Sequence, residues 1–217
     1  LAPKIKNKFF ALKYDKNKND FYFDLEGTIR VLKKYQKQSL PIRILGFPAY
    51  IFFTIEELIK RNLKFSFDGV VLPGGGWKTL ADKEIPKPIF RKLIKQYLGI
   101  NEQNVRDLYG LVEHGIPYVE CENFNMHIPS YSRVLIFNPL DKYFYGINEI
   151  DKIGLISFIT PYCNSYAISF VISSDVGYIS SDCECGRRGF YVNVLGRAGK
   201  TKLRGCAINA LDYLKSK

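Results

Sequence analysis

The sequence Phe67-Asp-Gly-Val-Val-Leu-Pro-Gly-Gly-Gly76 joins a short apolar run to three consecutive glycines. An apolar run of this length that ends in Pro and Gly is typical of a buried strand, which we predict over residues 67–72. A similar run covers residues 42–46, and residues 54–62 have helical spacing, with Thr54 as a candidate cap. Strand, helix and strand in this order predict a βαβ unit with a parallel strand pair.

The glycines Gly74, Gly75 and Gly76 follow the second strand of this unit. Ligands of parallel sheets bind beyond the carboxyl ends of the strands. Glycine at that edge lets the backbone approach a ligand, and free N–H groups can face an anion. A tight turn without a ligand is the alternative, because the run matches neither the P-loop nor the dinucleotide-binding pattern.

Outside this unit, apolar spacing predicts helices over residues 25–37 and 88–98, the second ended by Gly99. We expect residues 1–20, which are rich in Lys and Asn, to be irregular. Short strands are predicted further on, at residues 105–109, 134–137, 154–160, 167–172 and 190–195. The sequence therefore predicts an α/β fold in three portions. They are a basic lead-in with a helix (residues 1–40), a βαβ portion (41–120) and a mainly β portion with a basic tail (121–217).

Composition narrows the class of protein. The 217 residues are 47% hydrophobic and 24% charged, which is typical of a globular protein and argues against disorder. No apolar run has the length of a membrane span, and no signal peptide is visible. Since the five cysteines are an odd number, we expect reduced thiols and a cytoplasmic location. The chain begins with Leu1 and its one methionine is Met126, so we expect an upstream part of the same protein.

The net charge of +11 is concentrated at the two ends of the chain. Residues 1–40 hold ten Lys and Arg against four acids, and residues 187–217 hold eight against one. Residues 41–186, which lie between, hold fourteen Lys and Arg against sixteen acids. A nucleic-acid surface is usually a stripe on one folded face, so we do not expect nucleic acid to be the partner. Basic termini that aid solubility and an anionic ligand or partner are the two interpretations left.

The motif Asp107-Leu-Tyr-Gly-Leu-Val-Glu113 combines an aromatic ring with a carboxylate. A strand would deliver Tyr109, and a turn at Gly110 would present Glu113. A tyrosine ring can stack on another flat ring, and a carboxylate oxygen can hold Mg²⁺. The alternative is a helix cap beside a core tyrosine.

Three thiols and one imidazole form a candidate metal site: Cys121, His127, Cys183 and Cys185. A Cys₃His set is a usual closed tetrahedral shell for zinc. The spacing differs from that of a zinc finger, so such a site would join two separate loops. Free buried thiols are the alternative.

The carboxyl-terminal third adds three further candidates. Asp175, which we place in a polar turn after an apolar strand, could bind a ribose diol or cap that turn. Arg197 could engage phosphate or ribose. Cys206 lies among basic residues that would lower the pKa of its thiol and make it the most reactive cysteine, unless it is structural. Those basic residues are Lys200, Lys202 and Arg204.

Taken in order, these motifs resemble one family, the acyl-protein synthetases. These are the fatty-acid-activating subunits of the bacterial bioluminescence reductase complex; they are similar to phenylacetate–CoA ligases and belong with the adenylate-forming enzymes. The resemblance begins near residue 40, and it implies part of the large domain of such an enzyme. The motifs that carry it are Gly74-Gly75-Gly76-Trp77-Lys78, Asp107-x-Tyr109-Gly110-x-x-Glu113, Cys121…His127, Pro161-Tyr162…Ser165-Tyr166, Asp175-x-Gly177, Cys183-x-Cys185 and Gly196-Arg197…Cys206.

The resemblance implies that ATP and Mg²⁺ activate a carboxylic acid, above all a fatty acid, as an acyl-adenylate that is passed to a thiol. Cys206 would accept the acyl group, with coenzyme A or a carrier as alternative acceptors and a reductase or acyl carrier as partner. The remaining roles would be a cleft lining for adenine and acyl group (Gly74 to Gly76), adenine stacking (Tyr109), Mg²⁺ binding (Glu113), ribose binding (Asp175), ribose or phosphate binding (Arg197) and a zinc site (Cys121, His127, Cys183 and Cys185).

One family feature does not occur in this sequence: the phosphate-gripping loop of the type Ser-Gly-Thr-Thr-Gly. We therefore expect the chain to be the carboxyl-terminal part of a synthetase and not to form adenylate unaided. A zinc-stabilised basic module that binds nucleic acid or a partner protein is a competing interpretation, and so is a non-catalytic remnant.

Overall fold

The computed structural model describes residues 5–77, 80, 83–162 and 169–198. The chain divides into two compact units, Leu1–Val105 and Arg106–Lys217. This division falls earlier than the change near residue 120 that the sequence predicts, because a short strand pair ahead of residue 120 already belongs to the second unit. Within the described ranges, no helix is both long and apolar enough to cross a membrane.

The first unit begins with an antiparallel hairpin of β1 (Leu12–Asp15) and β2 (Asp20–Phe23). The prediction of irregular structure over residues 1–20 is therefore wrong for these strands. The Lys- and Asn-rich run between them forms the turn, in which the Asp15 carboxylate accepts hydrogen bonds from the N–H groups of Asn17 and Lys18. Asn19 closes the turn with φ 50°, a conformation that Asn tolerates better than most residues.

Helix α1 (Leu25–Gln38) confirms the predicted helix. Asp24 caps its first turn, since its carboxylate accepts the N–H of Gly27 over 2.8 Å. Ile29 and Leu32 are buried on one side, and basic residues are exposed on the other.

Strands β3 (Ile42–Gly46) and β4 (Gly69–Pro73) are parallel, and helix α2 (Pro48–Lys60) connects them, which confirms the βαβ unit. The predicted start of this helix at Thr54 is wrong. The helix begins at Pro48 because proline needs no N–H partner in the first turn. Thr54 lies inside the helix, where its hydroxyl donates to the carbonyl of Tyr50 over 3.0 Å.

Helix α3 (Lys87–Leu98) ends as predicted at Gly99, which has φ 73°. A Cβ at Gly99 would lie 2.6 Å from Ser66 Cα, so the close approach of two chain segments also requires glycine there. A 3-10 turn over Glu102–Asn104 follows. Helices α2 and α3 and strand β4 share one apolar core, with fully buried side chains at Ile55, Leu58, Val71, Ile94 and Leu98.

The second unit is a six-stranded antiparallel sheet with a separate strand pair, β5 (Leu108–Tyr109) and β6 (Tyr118–Val119). The sheet order is β7-β12-β11-β10-β8-β9, which confirms the mainly β portion. The strands are β7 (Met126–His127), β8 (Arg133–Asn138), β9 (Tyr143–Tyr145), β10 (Gly154–Ile159), β11 (Phe170–Ser180) and β12 (Tyr191–Arg197). The core beneath the sheet contains Tyr118, Ile136, Ile156, Phe158 and Ile179.

Strand β11 extends well beyond the predicted residues, and its length changes the place of Asp175. The polar run at residues 173–175 is not the expected turn but the middle of a strand that pairs with β10 and β12. Asp175 pairs with Arg197 of β12, and its N–H donates to Ser173 Oγ, so its backbone finds partners although the pairing with β10 is irregular between Leu155 and Ser157. The predicted strand over residues 105–109 is in turn shorter, since β5 covers only two residues.

Candidate functional site

Three predicted nucleotide-site residues meet in the second unit: Tyr109 on β5, Asp175 on β11 and Arg197 on β12. The Tyr109 hydroxyl donates a hydrogen bond to Asp175 Oδ2 over 2.7 Å, and Arg197 Nε donates to Asp175 Oδ1 over 3.1 Å. Arg197 lies directly opposite Asp175 in the register of the two strands. Strand pairing therefore brings the cation to the carboxylate, and β5 adds the phenol.

The carboxylate of Asp175 lies in a rigid, buried setting. Asp175 is only 7% exposed. Its backbone N–H donates to Ser173 Oγ over 3.1 Å, and that hydroxyl donates to the carbonyl of Ile156 on β10. The Arg197 side chain retains 44% exposure, so its guanidinium extends from the buried carboxylate towards solvent. A buried acceptor beside a half-exposed cation is suited to a ligand that carries both hydroxyl groups and an anion.

The phenol of Tyr109 is held as a hydrogen-bond donor. Burial, together with the hydrogen bond to Asp175, raises the pKa of Tyr109 above its ordinary value. The ring lies 6.0 Å from the ring of Phe158 and 6.4 Å from that of Tyr118. The tyrosine thus stays protonated, with its ring position set by both aromatic and polar contacts.

The other predicted nucleotide-site residues occupy turns. Gly110 follows β5, and Glu113 is exposed in the turn between β5 and β6. Gly74 to Gly76 follow β4 in the first unit, where the N–H of Gly74 donates to the carbonyl of Gly46 and Gly75 and Gly76 have positive φ. The glycine run therefore forms a turn at the carboxyl end of a parallel strand, where the sequence placed it.

A buried polar triangle behind the Glu113 turn was not predicted. His114 Nε2 lies 3.0 Å from the Tyr118 hydroxyl, and that hydroxyl lies 2.6 Å from Ser132 Oγ. Ser132 Oγ is in turn 3.2 Å from His114 Nε2. All three residues are at most 2% exposed. Burial lowers the pKa of His114. Burial alternates along this segment, since residues 114, 116, 118 and 120 are buried and those between are exposed. This period of two places His114 and Tyr118 on the same buried face.

The predicted metal ligands do come together. One donor atom from each of Cys121, His127, Cys183 and Cys185 lies within 4.8 Å of all the others. Cys121 Sγ is 3.7 Å from Cys183 Sγ, and Cys185 Sγ is 3.2 Å from His127 Nε2. The ligands come from the segment around β7 and from the loop between β11 and β12.

The chemistry of these donors fits a tetrahedral thiophilic metal. Burial raises the pKa of the Cys121 thiol. For Cys185, burial also opposes ionisation, but hydrogen bonds from the Arg187 N–H and the neighbouring Cys183 thiol outweigh it and lower the pKa. Nδ1 of His127 is buried and has no hydrogen-bond partner within the described residues, and its Nε2 faces the sulfurs. The set thus provides four ligands converging on one point.

Two amide groups and an ion pair surround this cluster. The N–H of Asn123 donates to Cys121 Sγ over 3.3 Å, and Asn125 Nδ2 donates to Cys183 Sγ over 3.1 Å. Arg187, two residues after Cys185, forms an ion pair with Glu122, the residue after Cys121. The Asn125 amide and the Arg187–Glu122 ion pair therefore connect the two loops in addition to the contacts among the thiols and the imidazole.

The predicted acyl acceptor Cys206 and its basic neighbours Lys200, Lys202 and Arg204 lie outside the described residues. Lys78, Ser165 and Tyr166 of the quoted motifs also lie outside them.

Comparison with known proteins supports the motif-based resemblance. The family model described as acyl-protein synthetase, LuxE, matches residues 6–214. A long-chain-fatty-acid–luciferin-component ligase of Aliivibrio fischeri is 24% identical over 198 residues, covering 88% of this chain and 51% of the relative. The Vibrio harveyi protein of the same name is 22% identical over 199 residues, covering 89% and 51%. The chain thus spans about half the length of these two relatives.

A solved structure shares the fold. The long-chain-fatty-acid-CoA ligase from Archaeoglobus fulgidus matches with a TM-score of 0.54 and 15% identity, covering 82% of this chain and 37% of that one. At this identity the likeness concerns the fold alone, and it confirms the predicted fold class. Since the family match extends over almost the whole sequence, the chain belongs to the LuxE acyl-protein synthetase family.

Proposed function

We propose that this chain forms the nucleotide-binding part of an acyl-protein synthetase that activates a fatty acid with ATP and passes the acyl group to a thiol. The observation that carries the proposal is the meeting of Tyr109, Asp175 and Arg197 at one buried carboxylate. An aromatic ring, an acceptor for a diol and a cation are what an adenosine phosphate requires. The names of the two relatives support the reaction class.

The reaction has two steps. A carboxylate oxygen of the acid attacks the α-phosphorus of ATP, and the bond from that phosphorus to the oxygen bridging it to the β-phosphorus breaks. Pyrophosphate departs, and the product is an acyl-adenylate. A thiolate sulfur then attacks the acyl carbon, and AMP leaves as the thioester forms. Cys206 is the proposed thiol, with coenzyme A or a carrier thiol as alternative acceptors.

In this scheme Asp175 accepts hydrogen bonds from the ribose hydroxyls. Tyr109 and Arg197 each use one lone-pair position of the carboxylate, and an ionised carboxylate has about four. Two positions are therefore not used by these two donors, and the ribose diol is their proposed partner. The half-exposed guanidinium of Arg197 keeps donors for the ribose or phosphate, and the ring of Tyr109 provides a face for adenine.

Glu113 is the proposed Mg²⁺ ligand. Its exposed position in the turn after β5 leaves its oxygens accessible. Mg²⁺ would neutralise charge on the phosphates during the displacement. Gly74 to Gly76 stay the proposed lining of the adenine and acyl cleft, and Gly110 stays a proposed nucleotide-binding residue; both roles rest on the family resemblance.

Cys121, His127, Cys183 and Cys185 are the proposed ligands of a structural Zn²⁺. Four protein ligands leave no open position for a substrate, which is the pattern of structural rather than catalytic zinc. Zinc would tie the loop between β11 and β12 to the segment around β7.

Calorimetric titration with AMP tests the nucleotide site. Wild-type chain should bind AMP, and Asp175→Asn should weaken binding about tenfold, because hydrogen bonds from ribose to a charged acceptor are lost. Asp141→Asn is the control, since Asp141 is an exposed carboxylate in the turn between β8 and β9. Lack of AMP binding by the wild-type chain would contradict the proposal.

Two further measurements address the chemistry. Pyrophosphate exchange with ATP and a fatty acid should be absent for these 217 residues alone, because the sequence contains no phosphate-gripping loop.

In a synthetase of full length supplied with ATP and acid, mass spectrometry should find the acyl group on the Cys206 peptide. An undiminished acyl label in Cys206→Ala, compared with a Cys163→Ala control, would refute Cys206 as acceptor.

A further inference from the structure

Four cations line the exposed side of helix α1: Arg30, Lys33, Lys34 and Lys37, which we call the α1 basic stripe. Their spacing of i, i+3, i+4 and i+7 places them on one face of the helix. The opposite face is buried through Ile29 and Leu32. Gln38 lies beside the four cations, and the five side chains form one open patch of the surface.

No ion pair within the described part of the chain joins the stripe to a carboxylate. Asp24 and Glu26, at the start of α1, attract Arg30 from a distance, but Asp24 is bound to Lys13 and Glu26 to Arg61. Like charges three and four residues apart destabilise a helix. Asp24 and Glu26 offset this repulsion only at Arg30, and Lys33, Lys34 and Lys37 have no carboxylate partner within the described residues, so an external anion would relieve it.

We infer that the α1 basic stripe is a docking site for the acidic surface of a partner protein, one that presents several Asp or Glu side chains in a row. The argument is charge complementarity: four cations along two helical turns match carboxylates that repeat along a partner helix. No aromatic or apolar side chain separates the four cations on this face. Insertion into a bilayer and stacking with single-stranded bases both require such side chains. The inference does not depend on the proposed activity.

The test uses the complete chain and a fluorescent helical peptide with glutamates at i, i+3, i+4 and i+7. Wild-type protein should bind the peptide, and binding should weaken as salt is raised. The double variant Lys33→Glu/Lys34→Glu should lose at least about tenfold in affinity. Lys16→Glu/Lys18→Glu, two exposed lysines of the β1–β2 turn with the same change in net charge, should lose less than about threefold.

Equal losses in the two double variants would assign binding to net charge and overturn the inference. Absence of binding at low salt would also overturn it, as would tighter binding of the stripe to duplex DNA or to phosphatidylserine vesicles than to the peptide. Circular dichroism controls for folding. If charge reversal unfolds α1, Lys33→Gln/Lys34→Gln replaces it and should show a loss in the same direction.

Discussion

The hydroxyl of Tyr109 donates a hydrogen bond to Asp175 Oδ2 over 2.7 Å, although the two residues are 66 positions apart. The bond joins the two-residue strand β5 to the middle of the long strand β11. Because β6 is the one strand that pairs with β5 among the described residues, this contact ties the tyrosine of β5 to the large sheet. Arg197 holds the other oxygen of the same carboxylate, so three elements depend on one side chain.

Loss of the Tyr109 hydroxyl should separate its structural role from the role of its ring. Tyr109→Phe should lower the free energy of unfolding by about 2 kcal/mol, because a buried charged acceptor loses a donor. AMP affinity should change little in this variant, whereas Tyr109→Ala should weaken it about tenfold through lost stacking. Urea unfolding and calorimetry measure the two effects.

Tyr178→Phe is the matched control for this pair, since the Tyr178 hydroxyl makes no hydrogen bond within the described residues of β11 or its neighbours. Its stability should match that of the wild type. Unchanged AMP affinity in Tyr109→Ala would argue against adenine stacking on this ring.

Metal content should follow the four proposed ligands. Purified protein should contain about one zinc per chain, and Cys183→Ser should reduce this several-fold because a Cys₃His shell loses a thiolate. Removal of zinc by a chelator should lower the melting temperature. Plasma emission spectroscopy and thermal unfolding are the measurements, with Cys163→Ser, a thiol outside the set, as the control. Zinc well below one equivalent in the wild type would eliminate the site.

Truncation of the buried imidazole should destabilise the second unit. His114→Ala leaves a cavity and removes a hydrogen-bond partner of Tyr118 and Ser132, at a cost of about 3 kcal/mol. His114→Gln, which keeps a polar group and more of the volume, should lose less. Denaturant unfolding reports both values, and a loss below about 1 kcal/mol for His114→Ala would mean that the triangle contributes little.

A methyl group at Gly177 should not fit. A Cβ there would lie 2.1 Å from the Asn193 carbonyl oxygen and 2.7 Å from Ile156 Cδ1, where β11 has an irregular register. Gly177→Ala should therefore destabilise the protein by about 2 kcal/mol or more. Gly146→Ala is the control, because its Cβ would meet Leu135 Cδ2 at 3.8 Å, an ordinary contact. Similar melting temperatures for the two variants would contradict this packing.

The elements that could be predicted are those with local signals. Helix α1 has its cap at Asp24 and a regular apolar spacing, and α3 has Gly99 at its end. The hairpin β1–β2 has no such signal, because Lys and Asn dominate its sequence, although they are the residues that make its turn. The predicted start of α2 at Thr54 is six residues late because Thr is a frequent cap, whereas the first turn is formed by Pro48, which needs no N–H partner there.

The candidate site also has features that the sequence predicts and features that it does not. Residue type alone indicates what Asp175 can accept, what Arg197 can donate and which metal Cys₃His prefers. It does not indicate that Asp175 lies in a strand, since a polar Ser-Ser-Asp run is also typical of a turn. In the His114 triangle, the alternation along the chain places His114 and Tyr118 on one buried face, but it does not indicate that Ser132, 14 residues further on, meets them.

The sequence by itself determined the family motifs, the parallel βαβ unit and the chemical character of each ligand-binding side chain. Only the tertiary structure decided which of these side chains meet. Hydrogen bonds and metal coordination require atoms within a few ångström of one another, whereas Tyr109 and Asp175 are 66 positions apart and His127 and Cys185 are 58 apart. Strand register across β11 and β12 and the loops that flank them set those distances, and no local pattern of residues encodes either.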